Sequence, residues 1–313
     1  MNKVWLTGDA VVDLIPDTPT TYLKCPGGAP ANVAVGIARL GGNCGFFGRV
    51  GLDPLGKFMK QTLSEERVDV LNLKLDKAQR TSTVLVDLDE QGERTFTFMV
   101  KPSADQFMQK EDIPQFEAGQ WLHACSIALA NEPSRTSTLE AIQRMKQVGG
   151  FVSFDPNLRE EVWQNPDELV SVVMKAVALA DVVKFSEEEL MLLTGTQSID
   201  AGIQQLKPLE IKLIVITQGE HGALVIFNGE AFRVSATSVD VIDTTGAGDA
   251  FVCGLLARLS QQTEWLTQDI IVNAVEWGNA CGGLATTEKG AMTALPSRPT
   301  LEQLLSSRVA ADS

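Results

Sequence analysis

The chain has 313 residues, enough for one large α/β domain or two small ones with a full hydrophobic core. Hydrophobic residues at 44% and charged residues at 21% are ordinary for a globular protein, and a formal net charge of -14 argues against a broad electrostatic footprint for nucleic acid or anionic membrane. A small, locally positive phosphate site stays open, because backbone amides build one without net charge.

The first residues, Met1 to Asp9, hold one lysine and a short apolar run before an acid. They read as a first β-strand rather than a signal peptide. No stretch approaches the roughly 20 uncharged apolar residues of a membrane span. The five cysteines (Cys25, Cys44, Cys125, Cys253 and Cys281) are scattered, and with only His123 and His221 a zinc site is not expected. They are expected to be thiols in a reducing cytoplasm.

After the first strand comes Gly8-Asp9-Ala10-Val11-Val12-Asp13-Leu14-Ile15-Pro16, then Gly27-Gly28-Ala29-Pro30-Ala31-Asn32-Val33-Ala34, a glycine turn feeding a helix from Ala31 to Leu40. Thr81 to Leu88 and Arg94 to Val100 alternate with period two around Asp89-Glu90-Gln91-Gly92-Glu93, which predicts a β-hairpin. With strands from about residues 11–24, the hairpin is expected to form a separate small sheet. Such a sheet would be a lid over the carboxyl edge of the main sheet, where open α/β folds bind ligands. The competing expectation is an edge extension of the main sheet.

From there the pattern alternates. Helical stretches at Ser137 to Val148 and Pro166 to Ala180 are interleaved with β-branched runs such as Phe151 to Phe154, Val182 to Phe185 and Leu213 to Ile216. That alternation predicts parallel βαβ units with helices on both faces of one sheet. No internal repeat or long linker interrupts residues 1–313, so a single domain is expected. Thr217-Gln218-Gly219-Glu220-His221-Gly222 is a tight turn after a buried strand.

The most informative run comes late. Val239 to Ile242 reads as a strand entering Asp243-Thr244-Thr245-Gly246-Ala247-Gly248-Asp249, and Ala250 to Ala257 reads as an apolar helix. Gly246, Ala247 and Gly248 leave room for a phosphate, and the free first-turn amides and helix dipole favour an anion there. Phosphoryl transfer rests mainly on positioning and on stabilising charge on the equatorial oxygens, so a nest of this kind suits it. Asp249 could simply cap the helix. Beside such a nest it can also accept the proton of an attacking hydroxyl.

This run resembles the second signature of the PfkB (ribokinase-like) carbohydrate kinases, and Gly27 to Ala34 with Gly41 and Gly51 resembles the first. The resemblance covers essentially the whole chain. It implies a ribokinase-like three-layer α/β/α sandwich, with a mostly parallel central sheet and a small β-sheet lid. The implied activity is an ATP-dependent sugar kinase with Asp249 as catalytic base. Gly27, Gly28, Asn32 and Asp13 would hold the sugar, and Asp9 would assist unless it is a turn residue. Phe98 and Arg159 match positions near the sugar or transferred phosphate, with Phe98 as lid core the competing reading.

On the nucleotide side, the resemblance implicates Thr217, Gly219 and Gly222. It adds Asn279, which could equally be a plain helix residue, and Lys184 as a phosphate contact. Glu189 matches the glutamate of the family's metal motif and would hold Mg²⁺ through water, while Ser186 replaces that motif's asparagine; three consecutive glutamates could instead be a solvated helix start. K⁺ would sit beside Asp243, Thr245, Ala285, Glu288 and Gly290. Cys253 departs from the smaller residue usual at its place and is read as an oxidation-sensitive point.

The fructokinase branch fits best, through Gly8-Asp9, Asp13 to Pro16, Lys24 to Gly28 and Ser186. An aminoimidazole riboside kinase is the alternative, and a non-catalytic sugar or nucleotide sensor on the same fold is the alternative of another class. A homodimer through the β lid is also expected, with sugar and ATP as small-molecule partners.

Overall fold

Runs such as Leu213-Ile214-Val215-Ile216 bury every residue, which a strand does when both faces of its sheet are covered. The computed structural model describes residues 2–88 and 94–311, and it builds a nine-stranded sheet from such runs.

In chain order the elements are β1 (Val4–Thr7), β2 (Val11–Thr18), β3 (Thr21–Gly27), α1 (Ala29–Arg39), β4 (Cys44–Gly51), α2 (Pro54–Glu65), β5 (Leu73–Asp76), β6 (Thr83–Leu88) and β7 (Arg94–Phe98). Then follow β8 (Trp121–Cys125), α3 (Ser134–Gln147), β9 (Phe151–Asp155), α4 (Leu169–Leu179), β10 (Val182–Ser186), α5 (Glu187–Thr194), α6 (Ile199–Leu206) and β11 (Leu213–Thr217). The chain ends with β12 (Ala223–Phe227), β13 (Glu230–Val234), α7 (Ala247–Leu259), α8 (Gln268–Ala285) and α9 (Arg298–Ala311).

The large sheet has the order β13-β12-β11-β10-β9-β8-β1-β4-β5. It is parallel from β5 to β11, and β12 and β13 add an antiparallel edge. One face packs against α1, α2, α7, α8 and α9 through Ile37, Met59, Leu255, Ala274 and Leu301. The other packs against α3, α4, α5 and α6 through Ile142, Val173, Leu190 and Ile203. These are the three layers the alternating pattern predicts.

The small sheet has four strands in the order β3-β2-β6-β7. Register places Asp13 beside Val84 and Ile15 opposite Leu23, so Val11, Asp13 and Ile15 share a face with Val84, Val86, Phe96 and Phe98. Val11, Val84 and Val86 form its core, with Ile15 and Phe98 packed against them. The expected turn at 89–93 lies outside the described residues.

Two expectations change. Helices start earlier than their apolar patterns: α1 begins at Ala29 with Pro30 in its first turn, and α7 begins at Ala247. Val239 to Ile242 is not a strand. Its β-branched residues are extended, but the segment lies against the end of α8, with Val239 beside Gly283. Its ladder is limited to Ile242 N and Asp243 N donating to Thr286 O at 2.7 and 3.1 Å. Period-two alternation reports an extended chain; it does not report whether a neighbouring strand is there to pair with.

Candidate active site

The carboxyl ends of β1 and β9 and the amino end of α7 converge on one cavity, lined among others by Asp9, Asp13, Asn32, Asn157, Arg159 and Asp249. Cavities at this edge are what parallel α/β sheets create. Asp249 is the third residue of α7 and only 7% exposed. Its Oδ2 accepts a hydrogen bond from Asn32 Nδ2 at 2.8 Å, and its Oδ1 accepts from Asn157 Nδ2 at 3.1 Å. Burial pushes its carboxyl above the ordinary range, against the Asn32 hydrogen bond, the charges of Lys184 and Arg159, and the Asn157 hydrogen bond.

The anion nest is present, with one adjustment. Gly246 precedes α7 at φ 76°, a left-handed conformation that glycine adopts freely, and its Cα faces Ala291 too closely for a side chain. Ala247 N already donates to Thr244 O at 3.2 Å, so the free first-turn amides are those of Gly248 and Asp249. Gly248 is where a cation arrives: a β-carbon there would stand 3.2 Å from Lys184 Nζ.

Lys184 is buried on β10 and lies 3.1 and 3.2 Å from the two carboxylate oxygens of Asp155, the last residue of β9. Burial alone would lower its ammonium pKa; the Asp155 and Glu189 charges outweigh that and hold it above the ordinary value. The nest therefore combines two free amides, a helix dipole and a fixed positive charge.

Glu189 serves first as a helix cap. Ser186 Oγ accepts from Glu189 N at 3.1 Å, and Glu189 Oε2 accepts from Ser186 N at 2.9 Å, a reciprocal capping box at the start of α5. Its Oε1 also accepts from Leu158 N at 3.1 Å. Because Glu189 already holds two amides, a hydrated Mg²⁺ fits it better than a directly ligated one.

On the sugar side, Gly28 is the N-cap of α1 at φ 99°, with its Cα tight against the Asp9 carbonyl, and Gly27 packs on the Asp13 carboxylate. Asp9 is buried, and its carboxyl is pushed up to about 7 by burial and then by the Asp105 charge. Asn32 Oδ1 is buried without a protein partner, an acceptor facing no donor of the chain's own. Phe98 both packs on the small sheet's core and lines the cavity, so its two readings coexist. Arg159 lines the cavity from an exposed position, its Nη1 donating to Leu158 O at 2.7 Å.

Asp243 ties two loops together. Its Oδ1 accepts from Thr245 N at 3.0 Å and Thr245 Oγ1 at 2.7 Å, and its Oδ2 accepts from Gly290 N at 2.9 Å. Ala285 ends α8 just before this junction, and Glu288 lies exposed within the second loop. Among the described residues no group of three or more His, Cys, Asp or Glu could hold a metal ion. The Asp243 carboxylate is an oxygen donor of the kind a hard cation takes, and both of its oxygens already accept from protein donors.

The nucleotide candidates gather elsewhere. Thr217 Oγ1 donates to Phe185 O at 3.2 Å, Gly219 opens the turn at φ 56°, and Gly222 is wedged against the backbone of Val234 and Ala236. Asn279 Nδ2 donates to Val234 O at 2.9 Å and Ser235 O at 3.2 Å, so its amide fixes the end of β13. Thr217 pairs with Ala223, next to Gly222, and Gly222 and Asn279 converge on that strand end.

Cys253 corrects an expectation. It is buried against Gly36 of α1, its thiol donates to Asp249 O at 3.0 Å, and burial pushes its pKa well above the usual value. A neutral, enclosed thiol is not oxidation-sensitive. Two residues that sequence reasoning passed over, Asp155 and Asn157, touch Lys184 and Asp249. Their only signal was polar residues alternating after a strand in Asp155-Pro156-Asn157-Leu158-Arg159.

The description pfkB family carbohydrate kinase matches residues 1–298. The chain belongs to this family. It is 61% identical over 301 residues to a fructokinase of Vibrio alginolyticus, covering 96% of this chain and 98% of that one. It superposes at TM-score 0.94 and 65% identity on the Vibrio cholerae O395 fructokinase solved with fructose, ADP and calcium, covering 97% of this chain and 99% of that one. A double mutant of that fructokinase was solved with fructose, ADP and potassium. An aminoimidazole riboside kinase of Salmonella typhimurium is 45% identical over 307 residues, covering 98% of this chain and 96% of that one.

Proposed function

We propose that this protein is a fructokinase, transferring the γ-phosphoryl group of ATP to D-fructose to give ADP and fructose 6-phosphate. The observation that carries this is Asp249: a buried carboxylate at the amino end of α7, held by two amides, beside free helix amides and Lys184. The higher identity to fructokinases than to the riboside kinase supports fructose as acceptor. A sensor without catalysis would have no use for a base held so closely.

In this account Asp13, Asp9, Gly27, Gly28 and Asn32 bind the sugar, with Phe98 and Arg159 closing the cavity around it. The unpartnered Asn32 Oδ1 receives a sugar hydroxyl. The 6-hydroxyl oxygen attacks the γ-phosphorus and passes its proton to Asp249, and the bond to the ADP oxygen breaks with its electron pair leaving on ADP. The Gly248 and Asp249 amides, with Lys184, stabilise the transferring group's charge. Thr217, Gly219, Gly222 and Asn279 form the nucleotide's wall. When bound near Glu189 and the nucleotide phosphates, Mg²⁺ neutralises charge there. K⁺ at Asp243, Thr245, Ala285, Glu288 and Gly290 would keep the α7 entry loop in place.

The small sheet, from residues 11–27, 83–88 and 94–98, acts as a lid on a single kinase domain, and its inner face supports a homodimer. Leu23 and Phe96 share that face with Ile15 and Val86 yet are 52% and 48% exposed, so a second copy would cover them. Five reduced thiols suit a cytoplasmic enzyme. A coupled ADP-release assay across fructose, ribose, adenosine, 2-keto-3-deoxygluconate and aminoimidazole riboside tests the function. Fructose should give the highest kcat/KM; preference for the riboside would move the chain to the other branch, and no sugar-dependent release would end the kinase assignment.

A further inference from the structure

Both oxygens of Asp249 are held by primary amides, and the two amides come from distant parts of the chain. Asn32 on α1 belongs to the glycine motif. Asn157 follows β9. Its backbone stands at φ 39°, in the left-handed region that asparagine tolerates better than most residues. Ser126 N donates to Pro156 O at 3.1 Å and Ser126 Oγ to Asn157 O at 3.4 Å, pinning the segment to the end of β8. Its neighbours also engage the site: Asp155 holds Lys184, Leu158 N holds Glu189, and Arg159 lines the cavity. An uncommon backbone conformation held at such a junction is a mark of functional constraint.

We infer that Asn157 is a positioning residue for Asp249, its Nδ2–H group fixing the carboxylate plane so that a lone pair faces the incoming hydroxyl. The inference deepens the proposed function and rests on Asp249 being the base. The carboxylate torsion of an aspartate is broad, so one donor leaves the group free to swing about it. Donors on both oxygens remove that freedom, and near-attack geometry is what they secure.

The second amide also favours the ionised form. Around Asp249, Lys184 on β10 and Arg159 after β9 act in the same direction. Asp9 after β1 and Asp155 on β9 oppose it, and Cys125 on β8 and Cys253 on α7 are held as neutral thiols. Without Asn157, burial is less well opposed and the base protonates at higher pH.

The test compares Asn157→Gly, Asn157→Ala and Asn157→Asp with the unchanged protein and Asp249→Asn, measuring kcat and KM for fructose and ATP across the acid and neutral range. Glycine keeps the positive φ and removes the amide; alanine adds strain; aspartate keeps the shape and replaces the donor with a like charge. All three should lose kcat by roughly tenfold or more, with the acid limb of kcat displaced upward by about one pH unit. KM for ATP should be unchanged.

The largest displacement should come from Asn157→Asp. If Asn157→Gly keeps full kcat and an unmoved acid limb while only Asn157→Ala is impaired, the residue merely shapes the backbone and the inference is overturned. Should the glycine variant not fold, Asn157→Asp with normal kcat and profile overturns it equally. Normal turnover in Asp249→Asn would remove the base itself, an outcome separate from failure of the positioning role.

Discussion

Asp9 shows how a single side chain at this site is held at a cost to stability. Its carboxyl is pushed up to about 7 in the folded protein, first by burial and then by Asp105, against an ordinary value near 3.8. Between those values the folded state binds more protons than the unfolded one. Its stability contribution is therefore full below the ordinary value and is lost as pH rises through about 7. Asp9→Asn should stabilise the fold at pH above that value, by on the order of a few kcal/mol at most, so that the thermal midpoint rises there and is unchanged in acid. Thermal unfolding over pH checks this. Equal midpoints above neutrality would contradict it, and a raised KM for fructose should accompany the gain. For Asp249 as the proposed base the same direction gives a prediction: turnover would need the ionised form, so activity should fall as pH drops through its raised pKa.

Among the elements, legibility in the sequence tracked how local the determinant was. Asp249 and its glycine turn could be read because extended segment, glycine turn, acid and helix are contiguous in the chain. The parallel strands could be read because burial on both faces leaves apolar runs such as Leu213-Ile214-Val215-Ile216. Val239 to Ile242 was misread because its β-branched residues specify extension while the absent neighbour is a tertiary fact. Asn157 and Asp155 stayed hidden for a related reason. Their partners, Asp249 and Lys184, lie 92 and 29 residues away, and only the packing of β9 between β8 and β10 joins them. For Glu189, the capping of α5 and the bond to Leu158 N emerge only from the three-dimensional arrangement.

At the scale of the whole molecule, an acidic chain must receive an acidic nucleotide. Net charge of -14 repels ATP at a distance, so the attraction has to be local, from Lys184, Arg159 and the amino end of α7. The second whole-molecule feature is the half-exposed apolar face of the small sheet. Light scattering on the purified protein should give twice the chain mass, and Leu23→Asp should reduce it toward the monomer. A monomer at all working concentrations would remove the dimer while leaving the site untouched.

The central claim is that Asp249 takes the proton of the fructose hydroxyl during phosphoryl transfer. Turnover of Asp249→Asn with saturating fructose and ATP tests it most directly, alongside a binding measurement for ATP. The expected result is a fall in kcat on the order of 10²–10⁴ with ATP affinity nearly unchanged. Turnover within a few fold of the unchanged protein would contradict it.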